Sequence, residues 1–289
     1  MKTSNQSLSW ILFIILSVIW GSSFILMKEG LKVLDAYQVA SLRMLSAGLV
    51  LLPMGIKLFS KYSIQQKKFI LASGLLGSFI PAYLFCIAET RIDSAIAGFL
   101  NSLTPILTMI LGGWIYKSRF TKNKWIGVTI GLAGMIMLLI PEANHGIGNI
   151  LFSSLVLLAT ICYAINVNLV SAKLHNIASM HIASLAFGML VPPSLIVLAL
   201  TGFFSLPLAE YEYMYSVGAS VVLGVFGTAI ASILFYILLK RASPLFASMV
   251  TYGIPFVALV WGLIAGETIY ALQIVGLVII LAGVWLARK

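Results

Sequence analysis

The sequence predicts an all-α integral membrane protein of ten transmembrane helices, arranged as two inverted five-helix repeats. Three observations predict this fold. The 289 residues are 61% hydrophobic and only 9% charged, whereas soluble domains carry roughly 25% charged residues. The second half of the chain repeats a pattern of the first half at a nearly constant offset. The basic residues also collect in alternate loops, as they do in multi-pass membrane proteins.

Ten apolar segments are long enough to cross a bilayer, which takes about 20 residues. They run approximately over 8–27, 36–56, 69–88, 93–115, 124–141, 148–170, 179–201, 214–239, 243–263 and 268–287. The loops between them are short, so we expect neighbouring helices to be antiparallel. The first segment is long enough to span, and no A-x-A cleavage site follows it, so we expect it to be retained.

The internal repeat relates residues 91–137 to residues 241–287. Six positions match at an offset of 150 or 149 residues: Arg91, Ala97, Pro105, Gly127, Ala133 and Gly134 recur as Arg241, Ala247, Pro255, Gly276, Ala282 and Gly283. Internal symmetry in an apolar chain is typical of transporters. The predicted halves are residues 1–144, with helices one to five, and residues 145–289, with helices six to ten.

The distribution of positive charge predicts the orientation. Fourteen Lys and Arg residues lie on the N-terminal side of the membrane, three lie on the other side, and Arg43 lies within a segment, which accounts for all 18. Cytoplasmic loops keep the positive charge, so we place both termini in the cytoplasm. Because each half has five segments, the second half enters the membrane upside down. The net charge of +10 does not indicate a nucleic-acid partner, since these residues sit in short loops.

Sequence signatures of catalysis and of cofactor binding are missing. The chain has no H-E-x-x-H, no Gly-rich phosphate loop and no G-x-S-x-G. Cys86 and Cys162 lie within apolar runs, where they read as small core residues. We therefore predict no enzyme activity, no metal and no cofactor, with the lipid bilayer and a small-molecule substrate as partners.

Two matched prolines, Pro105 and Pro255, fall near the middle of the fourth and ninth segments. A proline inside a helix frees the carbonyl four residues earlier, and in lipid that carbonyl must be satisfied by protein or by water in a cavity. The pair predicts either two kinked helices that line a central path or two structural kinks satisfied locally. The candidate substrate-binding residues here are Asn101, Thr104, Pro105, Thr251, Tyr252 and Pro255.

Arg43 is the only Lys or Arg within a predicted segment, roughly six residues past the start of the second helix. A charge inside the membrane costs about 2.5–3.5 kcal/mol on insertion scales, and such residues are usually functional. We therefore count Arg43 as a candidate for substrate binding. The alternative is that its side chain extends to the outer interface and pairs there with Glu29, Asp35 or Glu89.

The first segment contains Trp20-Gly21-Ser22-Ser23-Phe24, and its counterpart in the sixth segment begins at Tyr163. An aromatic residue followed by small or polar residues suits a helix that faces a cavity, although such residues also bridge packed helices. Asn166 and Asn168 are two apart, so at most one of them points into a given path. The candidates here are Trp20, Ser23, Tyr163 and Asn166, with Tyr83 for substrate binding and Lys28 and Glu89 for gating or coupling.

Small residues predict where helices approach closely. Gly127 and Gly131 form a G-x-x-x-G in the fifth segment, and Gly276 and Gly283 share a face of the tenth. Such a motif brings helices together either within one chain or between two chains. It is therefore also a candidate contact for a homodimer.

Taken together, these features resemble an EamA-type permease of the drug/metabolite transporter superfamily. The strongest match is Val250-Thr251-Tyr252-Gly253-Ile254-Pro255, which continues through Gly266-Glu267 to Leu281-Ala282-Gly283, and the first half carries Leu103-Thr104-Pro105 and Gly131-Leu132-Ala133-Gly134. The resemblance implies a secondary carrier of the inner membrane that exports amino acids or other small metabolites by alternating access, without a cofactor. Two features depart from this pattern. The first half has Lys117-Ser118 at a place where an acidic residue often follows the fourth helix, and the seventh segment has Ala186 at the place where the second segment has Arg43.

Two other functions stay open at this stage. A multidrug exporter of broad specificity would use an aromatic pocket, which Trp20, Tyr83, Tyr163 and Tyr252 would supply. A membrane-embedded enzyme is the third class, and it lacks the reactive pairs it would need. Every acidic residue lies near a predicted outer end, so weak or indirect coupling such as facilitated efflux is favoured over a buried proton relay.

The predicted orientation is tested by cysteine labelling in a chain whose native cysteines are replaced. Lys122→Cys is expected to react with a membrane-impermeant maleimide only after the cells are permeabilised, because its loop is predicted to be cytoplasmic. Glu212→Cys is expected to react in intact cells. Labelling of Lys122→Cys from outside would show that the orientation is wrong.

Overall fold

The computed structural model describes residues 2–115, 122–144, 147–266 and 268–288, and no β-strand is present among them. The helices are α1 (Lys2–Gly30), α2 (Ala36–Phe59), α3 (Ile64–Gly74), α4 (Ile80–Ala88), α5 (Ser94–Asn101), α6 (Thr104–Ile115), α7 (Lys122–Asn144), α8 (Ile147–Lys173), α9 (Ser179–Leu200), α10 (Tyr211–Gly224), α11 (Ala231–Arg241), α12 (Pro244–Ser248), α13 (Ile254–Ile264) and α14 (Ala271–Arg288). Lys117, Ser118 and Glu267, together with part of the predicted boundary between the halves, lie outside the described residues.

Eight helical segments of the described chain are long and apolar enough to cross a membrane, which makes this a multi-pass membrane protein. They are Ser7–Gly30, Ala36–Phe59, Ile64–Ala88, Ser94–Trp114, Asn149–Lys173, Ser179–Leu200, Tyr211–Arg241 and Pro244–Ile264. The fifth and tenth predicted segments correspond to α7 and α14. The described apolar run of α14, Ala271–Gly283, is shorter than a span, so the count of ten spans stays a prediction.

Polar side chains fix where two of the helices begin. Asp35 accepts a hydrogen bond from the backbone of Gln38 at the start of α2, and the Gln38 side chain accepts one from the Asp35 backbone. Ser63 and Gln66 make the same reciprocal pair at the start of α3. Such capping boxes satisfy backbone donors that the first helical turn leaves open, so both helices are defined at their polar ends.

Helices of one half pack against helices of the other. The pairs α2–α9 and α7–α14 make the most extensive contacts between elements. Around them, α1 packs against α11 and α13, while α8 packs against α4 and α6. Exchanging the helices of the two halves in order, α1 for α8 and so on, converts the α1–α11 and α1–α13 contacts into the α8–α4 and α8–α6 contacts and leaves the α2–α9 and α7–α14 pairs unchanged.

Glycines allow the closest of these contacts. A methyl group on Gly283 of α14 would lie 2.6 Å from the carbonyl oxygen of Gly127 in α7, and one on Gly134 would lie 2.7 Å from the carbonyl oxygen of Gly276. The glycines of the predicted G-x-x-x-G thus face α14 of the same chain. This face is used within the chain, and the homodimer contact predicted from it has no other support in the described residues.

The fourth and ninth predicted segments are interrupted at their prolines. Helix α5 ends at Asn101 and α6 begins at Thr104, so Pro105 is a residue of the first turn of α6 rather than a kink inside a longer helix. A 3-10 turn, Met249–Tyr252, separates α12 from α13, and Pro255 takes the same place in α13. Proline is tolerated in the first helical turn because its missing donor would be unpaired there.

Two further interruptions were not predicted from the sequence. A π-helical turn, Leu75–Phe79, joins α3 to α4, and a second one, Val225–Ile230, joins α10 to α11. The two turns begin 150 residues apart, at the same offset as the sequence repeat. Turns of this kind widen a helix locally and are frequent at functional sites.

The contact between α7 and α14 is tested by a pair of alanine substitutions. Gly283→Ala is expected to lower the melting temperature of the purified protein, because overpacking of a tight contact typically costs about 1–3 kcal/mol. Gly218→Ala in α10 is the matched control, since a methyl group there would meet no atom within 4 Å. Equal melting temperatures for the two variants would contradict the close approach of these helices.

Candidate functional site

A central cavity lies where the interrupted helices meet. It holds about 830 Å³ of empty space, solvent at its mouth included, and both halves of the chain contribute to its wall. Its described lining consists of Trp20, Ser23, Phe24, Met27, Arg43, Gly77, Ser78, Phe85, Asn101, Thr104, Tyr163, Asn166, Val167, Gly227, Thr228, Ser232, Phe235, Tyr236, Ser248, Thr251 and Ile254. The wall therefore combines aromatic rings, neutral hydrogen-bonding groups and one guanidinium.

The structure brings many of the predicted site residues together at this cavity. Those that line it are Trp20, Ser23, Arg43, Asn101, Thr104, Tyr163, Asn166 and Thr251. Those outside its described lining are Tyr83, Pro105, Tyr252 and Pro255, together with the gating candidates Lys28 and Glu89. Polar neighbours of the two prolines therefore line the cavity, whereas the prolines themselves lie outside its described lining.

The predicted residues that miss the cavity have other surroundings. The hydroxyl of Tyr83 is 2.7 Å from that of Ser41, and its ring packs against Phe79. The hydroxyl of Tyr252 is buried, with no hydrogen-bond partner among the described residues. Glu89 is buried at the end of α4 and accepts a hydrogen bond of 3.3 Å from Ser94. These side chains therefore lie outside the described lining of the cavity, with Glu89 buried and Tyr83 half-buried.

The carbonyl of Asn101 is satisfied locally, as the structural alternative for the proline pair predicted. The Thr104 hydroxyl donates to it at 2.7 Å. In the second half, the Thr251 hydroxyl donates to the carbonyl of Ser248 at 2.9 Å. Thr104 and Thr251 therefore each donate to a carbonyl beside a helix break, and both residues line the cavity.

Arg43 is buried, with 8% of its surface exposed. Its Nε donates a hydrogen bond of 2.6 Å to Oγ1 of Thr228 in the second π-helical turn. No salt bridge of Arg43 occurs among the described residues, and Glu29 pairs with Lys32 at 2.5 Å instead. The guanidinium therefore lies at the cavity in this structure and does not reach a carboxylate at the outer interface.

The two π-helical turns place backbone and small side chains on the wall. Gly77 and Ser78 come from the first turn, and Gly227 and Thr228 from the second. Trp20 donates its indole N–H to the carbonyl of Gly227 at 3.1 Å. This bond joins α1 to the second π-helical turn at the cavity wall.

Each π-helical glycine accommodates a polar side chain of the opposite half. The amide of Asn166 occupies the space that a methyl group on Gly77 would need. Ser23 does the same at Gly227, where a methyl group would lie 2.7 Å from the serine Oγ. Ser23 and Asn166 hold corresponding places in the first and sixth segments, so the two contacts are equivalent in the two halves.

Aromatic side chains pair across the halves in the same way. The Trp20 ring lies 5.2 Å from the Phe235 ring, and the Tyr163 ring lies 6.1 Å from the Phe85 ring, centre to centre. Phe24 adds to the second pair, at 5.7 Å from Phe85. These aromatic pairs give the cavity two apolar walls.

Several lining residues were not predicted as site residues, although they lie at matched positions of the two halves. Gly77, Ser78 and Phe85 correspond to Gly227, Thr228 and Phe235 at the offset of 150 residues. The repeat therefore extends upstream of Arg91, the first matched residue of the predicted repeat. Ser232 and Tyr236 carry no such signal, because their counterparts at this offset are Ala82 and Cys86.

The two asparagines of α8 have separate surroundings, as their spacing predicts. Oδ1 of Asn166 accepts a hydrogen bond of 2.7 Å from Ser73, whose hydroxyl also lies 3.1 Å from that of Tyr236. The Asn168 amide donates to the carbonyls of Thr108, at 3.0 Å, and Ala164, at 2.9 Å. Asn166 therefore belongs to the cavity, while Asn168 joins α8 to α6.

The chain is similar to known transporters over nearly its whole length. It matches the profile of the EamA-like transporter family over residues 8–140 and again over residues 151–288. It is 25% identical over 288 residues to an uncharacterized transporter of Archaeoglobus fulgidus, covering 97% of this chain and 98% of the relative. It is also 27% identical to the uncharacterized inner membrane transporter YedA of Escherichia coli, covering 93% of this chain and 87% of that one.

A shorter match and a solved structure add to this comparison. Over 134 residues, 46% of this chain and 43% of the relative, the sequence is 26% identical to a probable amino-acid metabolite efflux pump of Salmonella typhimurium. A crystal structure with 17% sequence identity superposes with a TM-score of 0.67 and covers 97% of this chain and 96% of that one. The superposition shows a shared fold.

The separate roles of the two asparagines are tested by measuring stability. Asn168→Ala is expected to lower the melting temperature, because hydrogen bonds between membrane helices contribute about 0.6 kcal/mol each and up to about 1.7. Asn166→Ala is expected to change it less, since Ser73 and Tyr236 keep each other as partners. A larger loss of stability in Asn166→Ala than in Asn168→Ala would contradict this assignment.

Proposed function

Because the chain belongs to the EamA-like transporter family, we propose that it is a secondary transporter that carries a small metabolite through the central cavity by alternating access. The observation that carries this proposal is the construction of the cavity wall from equivalent positions of the two halves. Trp20 and Tyr163, Gly77 and Gly227, and Asn101 and Thr251 are three such pairs. A site built in this way at a repeat interface is typical of secondary carriers.

The proposal includes the inverted repeat, with residues 1–144 and 145–289 as its halves. The family profile matches the chain twice, and the two matches fall on either side of this boundary. The helix contacts support the same division, since exchanging the halves converts the contacts of α1 into those of α8. With an odd number of spans in each half, the two units have opposite orientations in the membrane.

Alternating access requires that each half rearrange against the other. The interruptions at Asn101–Thr104 and Met249–Tyr252 and the two π-helical turns lie around the cavity. Interrupted helices bend more easily than continuous ones, because fewer backbone hydrogen bonds cross the break. We propose that these four points allow the wall to open toward one side of the membrane and then toward the other.

The proposed direction is export from the cytoplasm across the inner membrane. The proposed cargo is an amino acid or a related metabolite. The efflux pump of Salmonella typhimurium supports the cargo class through its name. Asp and Glu are absent from the described lining. This composition supports facilitated efflux over a proton relay through the cavity, since such relays place carboxylates along the path.

A multidrug exporter of broad specificity is the second candidate. The observation that favours it is the pair of aromatic walls around Trp20 and Tyr163, which would bind solutes with apolar groups of many shapes. Arg43 disfavours the cationic members of that class because it lies buried at the same cavity.

Transport is tested with the purified protein in liposomes, in counterflow of labelled amino acids without ATP. Thr251→Val is expected to slow counterflow about fivefold, because loss of one hydrogen bond to the cargo costs about 1 kcal/mol. Thr129→Val is the matched control, since its hydroxyl also donates to a carbonyl of its own helix but is exposed on α7. Equal rates in both variants would remove Thr251 from the site, and a requirement for ATP would contradict secondary transport.

A further inference from the structure

We infer that the cavity selects a solute with one carboxylate, which Arg43 binds, on a body that packs between the two aromatic walls. This inference rests on the proposed function, because it names the class of cargo for the same cavity. Three features of the described residues lead to it: the free edge of the Arg43 guanidinium, the charge of the wall and the position of the aromatic pairs.

The hydrogen bond to Thr228 fixes how the guanidinium is presented. It uses Nε, at 2.6 Å, and the described residues supply no other hydrogen bond or ion pair to this side chain. The two terminal nitrogens form the edge of the guanidinium away from Nε. Arg43 is therefore held at one end and offers a planar pair of donors at the other.

The wall has one sign of charge. Arg43 is the one charged residue in the described lining, and the remaining polar groups there are hydroxyls, amides and backbone. A buried charge without a partner is unfavourable, and in a membrane protein such a residue usually faces the substrate path. An anionic group on the solute would supply the missing partner of the guanidinium, whereas a cationic group would be repelled by it.

The geometry favours a carboxylate among anions. Two parallel N–H donors match the two oxygens of a carboxylate in one plane, and this bidentate pair is stronger and more directional than a contact with Lys. A single guanidinium neutralises a single negative charge. A dianionic phosphate would keep an uncompensated charge in a cavity that offers no second cation among its described residues.

The rest of the solute meets apolar and neutral groups. The Trp20–Phe235 and Tyr163–Phe85 pairs form the apolar walls, and Asn101 and Thr251 contribute neutral polar groups from the two helix breaks. An ammonium group would find only neutral acceptors here. The carboxylate should therefore decide binding, and an ammonium group on the same solute should change the affinity little.

The test uses acids and their amides, which have nearly the same shape and differ in charge. The probes are phenylalanine and phenylalaninamide, leucine and leucinamide, and 3-phenylpropanoate and 3-phenylpropanamide, added to the purified protein in detergent. The shift in melting temperature as a function of probe concentration gives the apparent affinity. We expect the acids to bind at least about tenfold more tightly than the matching amides, and 3-phenylpropanoate to bind about as well as phenylalanine.

Substitutions assign the preference to Arg43. Arg43→Gln is expected to remove the difference between acid and amide, and Arg43→Lys to keep only part of it, about threefold, because Lys keeps the charge but loses the planar fork. Thr228→Val keeps the guanidinium and loses its anchor, so it should weaken acid binding while it leaves the folded protein intact. Arg91→Gln is the matched control, since Arg91 is exposed and lies outside the described lining of the cavity.

Each outcome decides the inference. It is wrong if the amides bind as tightly as the acids, if no acid in the set stabilises the native protein, or if folded Arg43→Gln keeps the preference. If Arg43→Gln does not fold, unchanged acid binding in both Arg43→Lys and Thr228→Val contradicts it. Acid binding without counterflow in liposomes would leave this inference standing and contradict the transport function, while counterflow of amides alone would do the reverse.

Discussion

The constraint on which this structure depends is that a bilayer offers no water to an unpaired backbone group. The segments that cross it are therefore helical, and the places where a helix is interrupted need partners from the protein itself. All four interruptions within the spans supply residues to one cavity. There, local hydroxyl groups such as that of Thr104 and side chains from other helices such as Trp20 donate to carbonyls at the interruptions. The interruptions therefore cluster at the cavity, where the protein itself supplies hydrogen-bond partners.

Close contact between the halves depends on residues that lack bulk. Gly77 makes room for Asn166 and Gly227 makes room for Ser23, so a polar side chain of one half enters the widened turn of the other. Equivalent contacts on both sides of the cavity mean that each half uses the same packing solution. A transporter that changes from one open side to the other benefits from this, since the two end states can then be built from similar contacts.

Arg43 breaks this symmetry. Its counterpart in the second half is Ala186, which packs against Gly74 of α3: a methyl group on that glycine would lie 3.1 Å from the Ala186 Cβ. Among the described residues, the charge on the cavity wall comes from α2, and the Arg43 side chain is hydrogen-bonded to the second half through Thr228. The wall of the cavity is therefore similar in the two halves in its aromatic pairs and π-helical turns, and different in its charge.

The sequence by itself determined the helical class and the approximate position of the spans, because the length and apolarity of a segment are local properties that lipid selects. It also placed Asn101 and Thr251 beside the two helix breaks, because a proline is unfavourable inside a helix and tolerated in its first turn, which is a local effect. The tertiary structure decided which side chains share the cavity. Tyr83 and Tyr252 lie on predicted spans but outside its described lining, and Arg43 donates a hydrogen bond to a hydroxyl 185 residues away in the sequence. The rotation of a helix about its axis is set by packing against other helices, and no local pattern in a uniformly apolar segment records it.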